Sequence, residues 1–378
     1  MKYGLLYYKE TDNIGDDIQT YAAKRFLPSV DYVVDRENLN CFIPDKKELV
    51  SVIMNAWYLH NKAAWPPSPY INPLLISMHF TESFENDVGD AYLKGIGGEY
   101  LRRREPVGAR DTKTQKRLEK NNIQNYLSGC LTLTIQKFKD VEKGDYICAV
   151  DVPEEIIEKL EEKTGREIKV ITHHCNQDEM KEKSFEQRME EVEALLKIYQ
   201  GAHLVITNRL HTILPAMALE TPVILLHKED YEADRLGDYI KYVKSYSFKE
   251  FLENDILDDI ETPSDNNKDY LEIRKDLEKR VEEFINNSKK IDDSDLPSLE
   301  EYKEYVKNIS YYKDLYEALR LKSIERYKSY KNELNEVWKS KIEGDNYLKK
   351  QLEEKDKELE RVLYDSKRCK FINKFKRK

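Results

Sequence analysis

The stretch from Ala202 to Leu226 constrains the fold most, because a strand, a charged turn, a helix and a second strand follow one another without a spacer. His203-Leu204-Val205-Ile206-Thr207 is apolar and β-branched and reads as a buried strand. Asn208-Arg209-Leu210-His211 follows, then a helical run from Thr212 to Leu219 and a strand at Val223–His227. Proline is cheap only in a first helical turn, so Pro215 predicts a helix beginning near Leu210 to Thr212. Arg209 and His211 then stand at the positive end of a helix just past a strand, a ready site for phosphate or carboxylate. The plainer alternative is that both side chains only satisfy turn carbonyls.

The same alternation runs through the chain. Tyr3–Tyr8 reads as a strand, Gly15 permits a tight turn, and Asp16 or Asp17 is expected to cap a helix carrying Ile18, Tyr21, Ala22 and Phe26. Further strands are expected near Val50–Met54, Leu74–Met78 and Tyr126–Ser128, with Asp111 capping a helix that ends near Lys120. Trp65-Pro66-Pro67-Ser68-Pro69 cannot be a regular element and reads as a loop over a cleft. In the second half, Asp145–Val150 and Ile168–Thr172 read as strands, Pro153 as a helix start and 186–200 as a helix. Such alternation implies mostly parallel sheets, whose ligands bind beyond the carboxyl ends of the strands. Asn13, Arg110, His173, His174, Arg209 and His211 all fall just after predicted strands.

Composition narrows the class. The chain of 378 residues can hold two domains and an appendage. No apolar run approaches a membrane span, Met1–Leu6 enters a strand rather than a signal peptide, and Cys41, Cys130, Cys148, Cys175 and Cys369 lack paired or metal-type spacing. A cytoplasmic protein with reduced thiols and no metal is expected. Residues 1–297 carry a net −15 and residues 298–378 a net +6, within an overall −9. An acidic body argues against nucleic acid as partner.

After Pro297 there is no proline, and Leu299, Tyr302, Val306, Ile309, Tyr316, Leu319, Tyr327, Tyr330, Leu334 and Val337 recur at spacings near three and four. This predicts a helix over 298–365, either a coiled coil able to join copies of the chain or a solvated helix or helical hairpin. The tail 366–378 has seven cations, no acid, and Phe371, Ile372 and Phe375. It reads as an interfacial segment for an anionic membrane surface, at the inner face of the membrane, or as a disordered basic end.

Three segments together resemble the polysaccharide pyruvyl transferase family: Asp12-Asn13-Ile14-Gly15-Asp16-Asp17 running into Ile18–Ala23; Val107–Thr112 with Tyr126–Thr134; and Thr207-Asn208-Arg209-Leu210-His211 through Ala216–Val223. The resemblance implies an α/β fold of two Rossmann-like domains facing a cleft, similar to glycosyltransferases of the B type, here expected over 1–144 and 145–290. It also implies transfer of pyruvate from phosphoenolpyruvate to a sugar as a cyclic ketal, with phosphoenolpyruvate as co-substrate and no further cofactor, and it makes Arg110, Arg209 and His211 the donor-binding set. Many members have a glycine-rich loop after an early strand, whereas here Ser51–Met54 is followed by Asn55-Ala56-Trp57-Tyr58, which puts acceptor identity in doubt.

Ketal formation needs the donor anions held, C3 protonated, and charge stabilised at C2. Arginines suit the first task through their planar fork, and a histidine suits the second. His211 is assigned to binding or acid work. Asp16, Asp17, His173 or His174 could take the acceptor's protons, or serve only as caps and turn residues. Asn13, Asn55, Trp57, His173 and His174 are expected on the acceptor side, toward a glycan or lipid-linked saccharide. Two rivals remain: a nucleotide-sugar glycosyltransferase in which Glu220 binds ribose, and a non-catalytic scaffold.

Overall fold

The apolar runs become strands of two parallel sheets. In the computed structural model, which describes residues 1–58, 64–81, 90–228, 236–289, 295–341 and 350–362, the first sheet is ordered β2-β1-β3-β5. Its strands are β1 (Lys2–Tyr7), β2 (Tyr32–Asp35), β3 (Val50–Ile53) and β5 (Ile71–Leu74). β1 is followed by α1 (Ile14–Lys24), while β4 (Trp57–Tyr58) pairs with β6 (His79–Phe80). After α2 (Asp90–Leu93) and α3 (Gly95–Arg102), β7 (Val107–Ala109) and β8 (Asn125–Leu127) pair in parallel around α4 (Thr112–Lys120).

The second sheet is ordered β10-β9-β11-β12-β13, with every neighbouring pair parallel. Its strands are β9 (Tyr146–Val150), β10 (Glu167–Ile171), β11 (Leu204–Thr207), β12 (Val223–His227) and β13 (Lys244–Ser247). α5 (Glu154–Lys163), α6 (Gln177–Glu182), α7 (Phe185–Gly201) and α8 (Leu210–Ala218) connect the first four, and α9 (Phe248–Glu253), α10 (Leu257–Glu261) and α11 (Tyr270–Ser288) follow. Val150 on the middle strand β9 is level with both Ile171 of β10 and Thr207 of β11. The residues that leave these three strands therefore emerge side by side, as parallel topology dictates.

Both sheets lie in one compact unit ending at Tyr302, with residues from Lys303 onward in a second. One of the apolar clusters of the first unit spans both halves: Leu5 and Ile18 from the first pack with Val205, Leu210 and Ile213 from the second, all nearly inaccessible. Truncating such a residue to alanine typically costs about 2–5 kcal/mol.

Local chemistry corrects several expectations. The cap of α1 is Asn13, whose Oδ1 accepts from the Gly15 amide at 2.9 Å, while Asp16 and Asp17 occupy the first turn. The helix after β11 does begin at Leu210, but Pro215 lies inside it, past the first turn, where it has no N–H to give the His211 carbonyl. The strand expected at Leu74–Met78 ends at Leu74, and Met78 makes only an isolated bridge with Ala109. The proline-rich stretch is no cleft cover: Trp65 and Ser68 are buried, and Trp65 packs edge-on against Tyr58, Tyr92 and Tyr100.

The last helix, α12 (Leu299–Lys341), is continuous, and residues 350–362 are helical as well. Lys331 and Asp356 form an ion pair at 3.7 Å, which brings the two segments together as the arms of a hairpin. Ile324, Tyr327, Tyr330 and Leu334 are half-buried at helical spacing, and so are Leu352, Asp356 and Leu359. The side chains of Tyr316 and Val337, and the basic tail 366–378, lie outside the described residues.

Candidate functional site

The N-terminus of α1 joins the two halves of the first unit. The Ile14 amide donates to the His173 carbonyl at 3.0 Å, the Cys175 amide donates to the Asp12 carbonyl at 2.7 Å, and Asn13 bridges His174. Gly15 permits a close approach: a Cβ there would stand 3.1 Å from His211 Nδ1 and 2.9 Å from Asn13 Oδ1. His211 lies in the first turn of α8, and its Nε2 is 3.9 Å from Cys130 Sγ. Cys130 is delivered by Gly129, whose φ of +72° turns the chain after β8. Burial pushes the Cys130 thiol up, against the Arg110 charge and a Thr132 hydrogen bond. One turn along α1 from Gly15, about 6 Å on, Gln19 Oε1 accepts from Arg110 Nη1 at 3.5 Å.

Arg110 is 1 % exposed, and its Nε and Nη2 have no hydrogen-bond partner among the described residues. Among the described residues its counter-charge is Asp111 Oδ2, 3.6 Å from Nε. That carboxylate is already engaged, because Asp111 caps α4 through the Thr114 amide and meets His79 Nδ1 at 2.5 Å. Burial would raise the Asp111 carboxyl, but the His79 hydrogen bond and the charges of His79 and Arg110 hold it well below the usual range. A buried guanidinium with idle donors costs free energy until an acceptor reaches it. An anion has the chemistry of such an acceptor.

Arg209 is the N-cap residue of α8, and no side chain caps the helix. Its Nε donates to Asp151 Oδ2 at 2.8 Å and its Nη2 lies 2.5 Å from His174 Nε2. Asp151 also accepts from the Thr172 hydroxyl at 2.7 Å and the His173 amide at 3.0 Å. Burial opposes its ionisation, yet these hydrogen bonds and the Arg209 charge keep its carboxyl below the ordinary value. Around the N-terminus of α1 the structure thus gathers Asn13, His174, Arg209, His211 and, through Gln19, Arg110.

Other expected site residues are placed differently. Asp17 is fully buried in a bidentate ion pair with Arg188 of α7, at 2.6 and 2.8 Å. Its burial raises the carboxyl to about 6 against the pull of Arg188. His173 is 1 % exposed, with Nε2 at 2.7 Å from the Tyr199 hydroxyl and 3.1 Å from Thr212 Oγ1, and burial lowers its pKa to about 4. It is a neutral core residue. Asp16 is half-buried, accepting from Thr11 at 2.8 Å and from Arg36 at 3.3 Å. Asn55 is buried, donating to the Gln19 carbonyl at 2.8 Å, and its Oδ1 has no partner among the described residues. Trp57 Nε1 donates to Thr81, whose hydroxyl meets His79 Nε2 at 3.0 Å, so Trp57 connects to Arg110 through His79 and Asp111. Glu220 is exposed and pairs with Lys137 at 2.7 Å.

Sequence reasoning missed Asp151, Gln19 and His79. Asp151 had a readable signal, since it directly follows a predicted strand. Gln19 and His79 are placed by packing alone. Among the described residues, no cluster of histidine, cysteine, aspartate and glutamate could hold a metal ion.

No curated protein matches the sequence. Solved structures similar in part include the protein KP1_0663 from Klebsiella pneumoniae subsp. pneumoniae NTUH-K2044, with TM-score 0.38, 10% identity, and coverage of 63% of this chain and 88% of that one. The UDP-GlcNAc 2-epimerase of Methanocaldococcus jannaschii gives 0.33 at 10% identity, covering 82% and 100%. The wall teichoic acid polymerase TagF gives 0.35 at 9%, covering 84% and 90%. The family model described as polysaccharide pyruvyl transferase matches residues 13–226, a span that takes in every residue gathered around α1. The chain belongs to the polysaccharide pyruvyl transferase family.

Proposed function

We propose that the protein transfers pyruvate from phosphoenolpyruvate to two hydroxyls of a sugar in a cell-surface polysaccharide or its lipid-linked precursor. The observation that carries this is Arg110, a buried cation with two donors that find no partner among the described residues, linked through α1 to the uncapped start of α8. Phosphoenolpyruvate carries a phosphate and a carboxylate on one small frame, and a pair of arginines with an open helix terminus matches two anions. In the reaction, both sugar oxygens bond to C2, C3 takes a proton to become methyl, and the C2–O bond to phosphate breaks. Of the two hydroxyl protons released, one balances C3 and the other leaves with phosphate.

Arg110 and Arg209 hold the donor, and His211, set by Gly15, binds it or protonates C3. Of the four residues considered for the acceptor's protons, Asp17 and His173 are sealed in the core, which leaves Asp16 and His174. No described helix is long and apolar enough to cross a membrane. The basic tail is the part of the chain suited to bring it to a lipid-linked acceptor. His211→Gln tests the assignment. Turnover measured as phosphate released should fall about a hundredfold with donor affinity changed less, if histidine is the acid. Equal losses in both would make His211 a binding residue, and full activity would remove it from the site.

A further inference from the structure

Arg209 needs an aim. Its guanidinium offers two edges to an anion, one through Nε and Nη2 and one through Nη1 and Nη2. Asp151 occupies Nε at 2.8 Å. Only the Nη1–Nη2 end then remains for bidentate contact, and Nη2 sits against His174 Nε2, an exposed side chain that an anion can displace.

The fold invests in this carboxylate. Asp151 leaves β9, the strand between β10 and β11, so it stands between the residues that follow each neighbour. Its amide donates to the Ile171 carbonyl at 3.0 Å, and its side chain is fixed by Thr172 and the His173 amide from the β10 side and by Arg209 from the β11 side. Its φ is +51°, a left-handed conformation that a non-glycine residue holds only at a cost, and such residues cluster where geometry serves function. We infer that Asp151 is a positioning residue of the anion site, holding Arg209 so that its Nη1–Nη2 end faces the donor. This rests on the reading that Arg209 binds an anionic donor.

A double-mutant cycle on the full chain tests it, with phosphoenolpyruvate and, separately, inorganic phosphate titrated calorimetrically into the parent, Asp151→Asn, Arg209→Ala and the double variant. Asp151→Asn should weaken phosphoenolpyruvate about tenfold or more in the parent and change affinity by less than about twofold once Arg209 is absent. Asp151→Gly, which relieves the backbone, should show the same loss while melting no lower than Asp151→Asn. Parent-like affinity in Asp151→Asn, or equal losses with and without Arg209, would overturn the inference. If the parent binds inorganic phosphate but not phosphoenolpyruvate, the donor reading falls and the cycle is decided on phosphate. If it binds neither anion, both fall.

Discussion

Arg110 shows what a single residue says about use. Arg188, the other fully buried arginine, is satisfied: it gives both Nε and Nη2 to Asp17 and reaches the carbonyls of Tyr8 and Lys9. Arg110 has one long contact to Gln19 and a shared carboxylate. Arg110→Met should therefore change folding stability by no more than about 1 kcal/mol, since apolar replacement of a poorly paired buried charge is often neutral or better. The same variant should lose at least about tenfold in phosphoenolpyruvate affinity. Urea unfolding and calorimetry on one preparation check both halves.

His173 carries a pH signature. Its folded pKa near 4 lies below the unfolded value of 6.5, so the unfolded chain takes up a proton that the folded one refuses. The stability this neutral ring contributes is present above pH 6.5 and is lost as pH falls toward 4. At pH 5 the loss is about 2 kcal/mol. Asp17 works the other way, because its raised pKa favours the folded state as pH falls through 6. Urea midpoints of the parent and His173→Gln at pH 7 and pH 5 isolate the histidine: the parent should lose more on acidification than the variant. Equal losses would contradict the buried neutral ring. The sequence exposed His173 and Arg110 as strand-end residues, but it could not separate a ring facing Tyr199 from one facing solvent. That distinction arises only when α7 packs.

At the scale of elements, two helix starts make the site, and they differ. α1 is capped by Asn13 and spends its N-terminus on the contact with His211, whereas α8 opens uncapped at Arg209. Strands and helices near these starts were legible because β-branched runs and apolar spacing dictate them. The caps were less so: Asn, Asp and Ser all serve at an N-cap, and Asn13 competed with two aspartates three and four residues on. Trp65 misled because proline excludes regular structure without saying whether the irregular chain is inside or outside. Gly15→Ala should raise intrinsic helix propensity by about 1 kcal/mol, yet its methyl would press on Asn13 Oδ1 and His211 Nδ1. We expect stability within about 1 kcal/mol of the parent and turnover reduced about tenfold or more. Unchanged turnover would mean that His211 is not held by this contact.

For the whole molecule, charge and length divide the labour. The acidic body holds the site, and the basic end follows the α12 hairpin. Each tail cation near an anionic surface contributes about 1 kcal/mol at low salt. Deleting residues 366–378 should abolish salt-sensitive sedimentation with anionic vesicles while leaving activity on a soluble acceptor intact. Equal sedimentation of the two proteins, or of neither at low salt, would make the tail a simple basic end. The helical end was legible as helix from its spacing and lack of proline, but the sequence left a hairpin and a coiled coil both open, because a tyrosine-rich seam suits a partner chain and its own chain alike.

The central claim is that the α1–α8 site takes phosphoenolpyruvate, and thermal unfolding with added ligand tests it most directly. A donor bound only by the folded state at about a hundredfold over its dissociation constant stabilises by about 2.7 kcal/mol. The parent should melt higher with phosphoenolpyruvate, Arg209→Ala should lose most of that rise, and a nucleotide sugar should give none. A rise with the nucleotide sugar alone, or one from phosphoenolpyruvate that survives Arg209→Ala undiminished, would contradict the account.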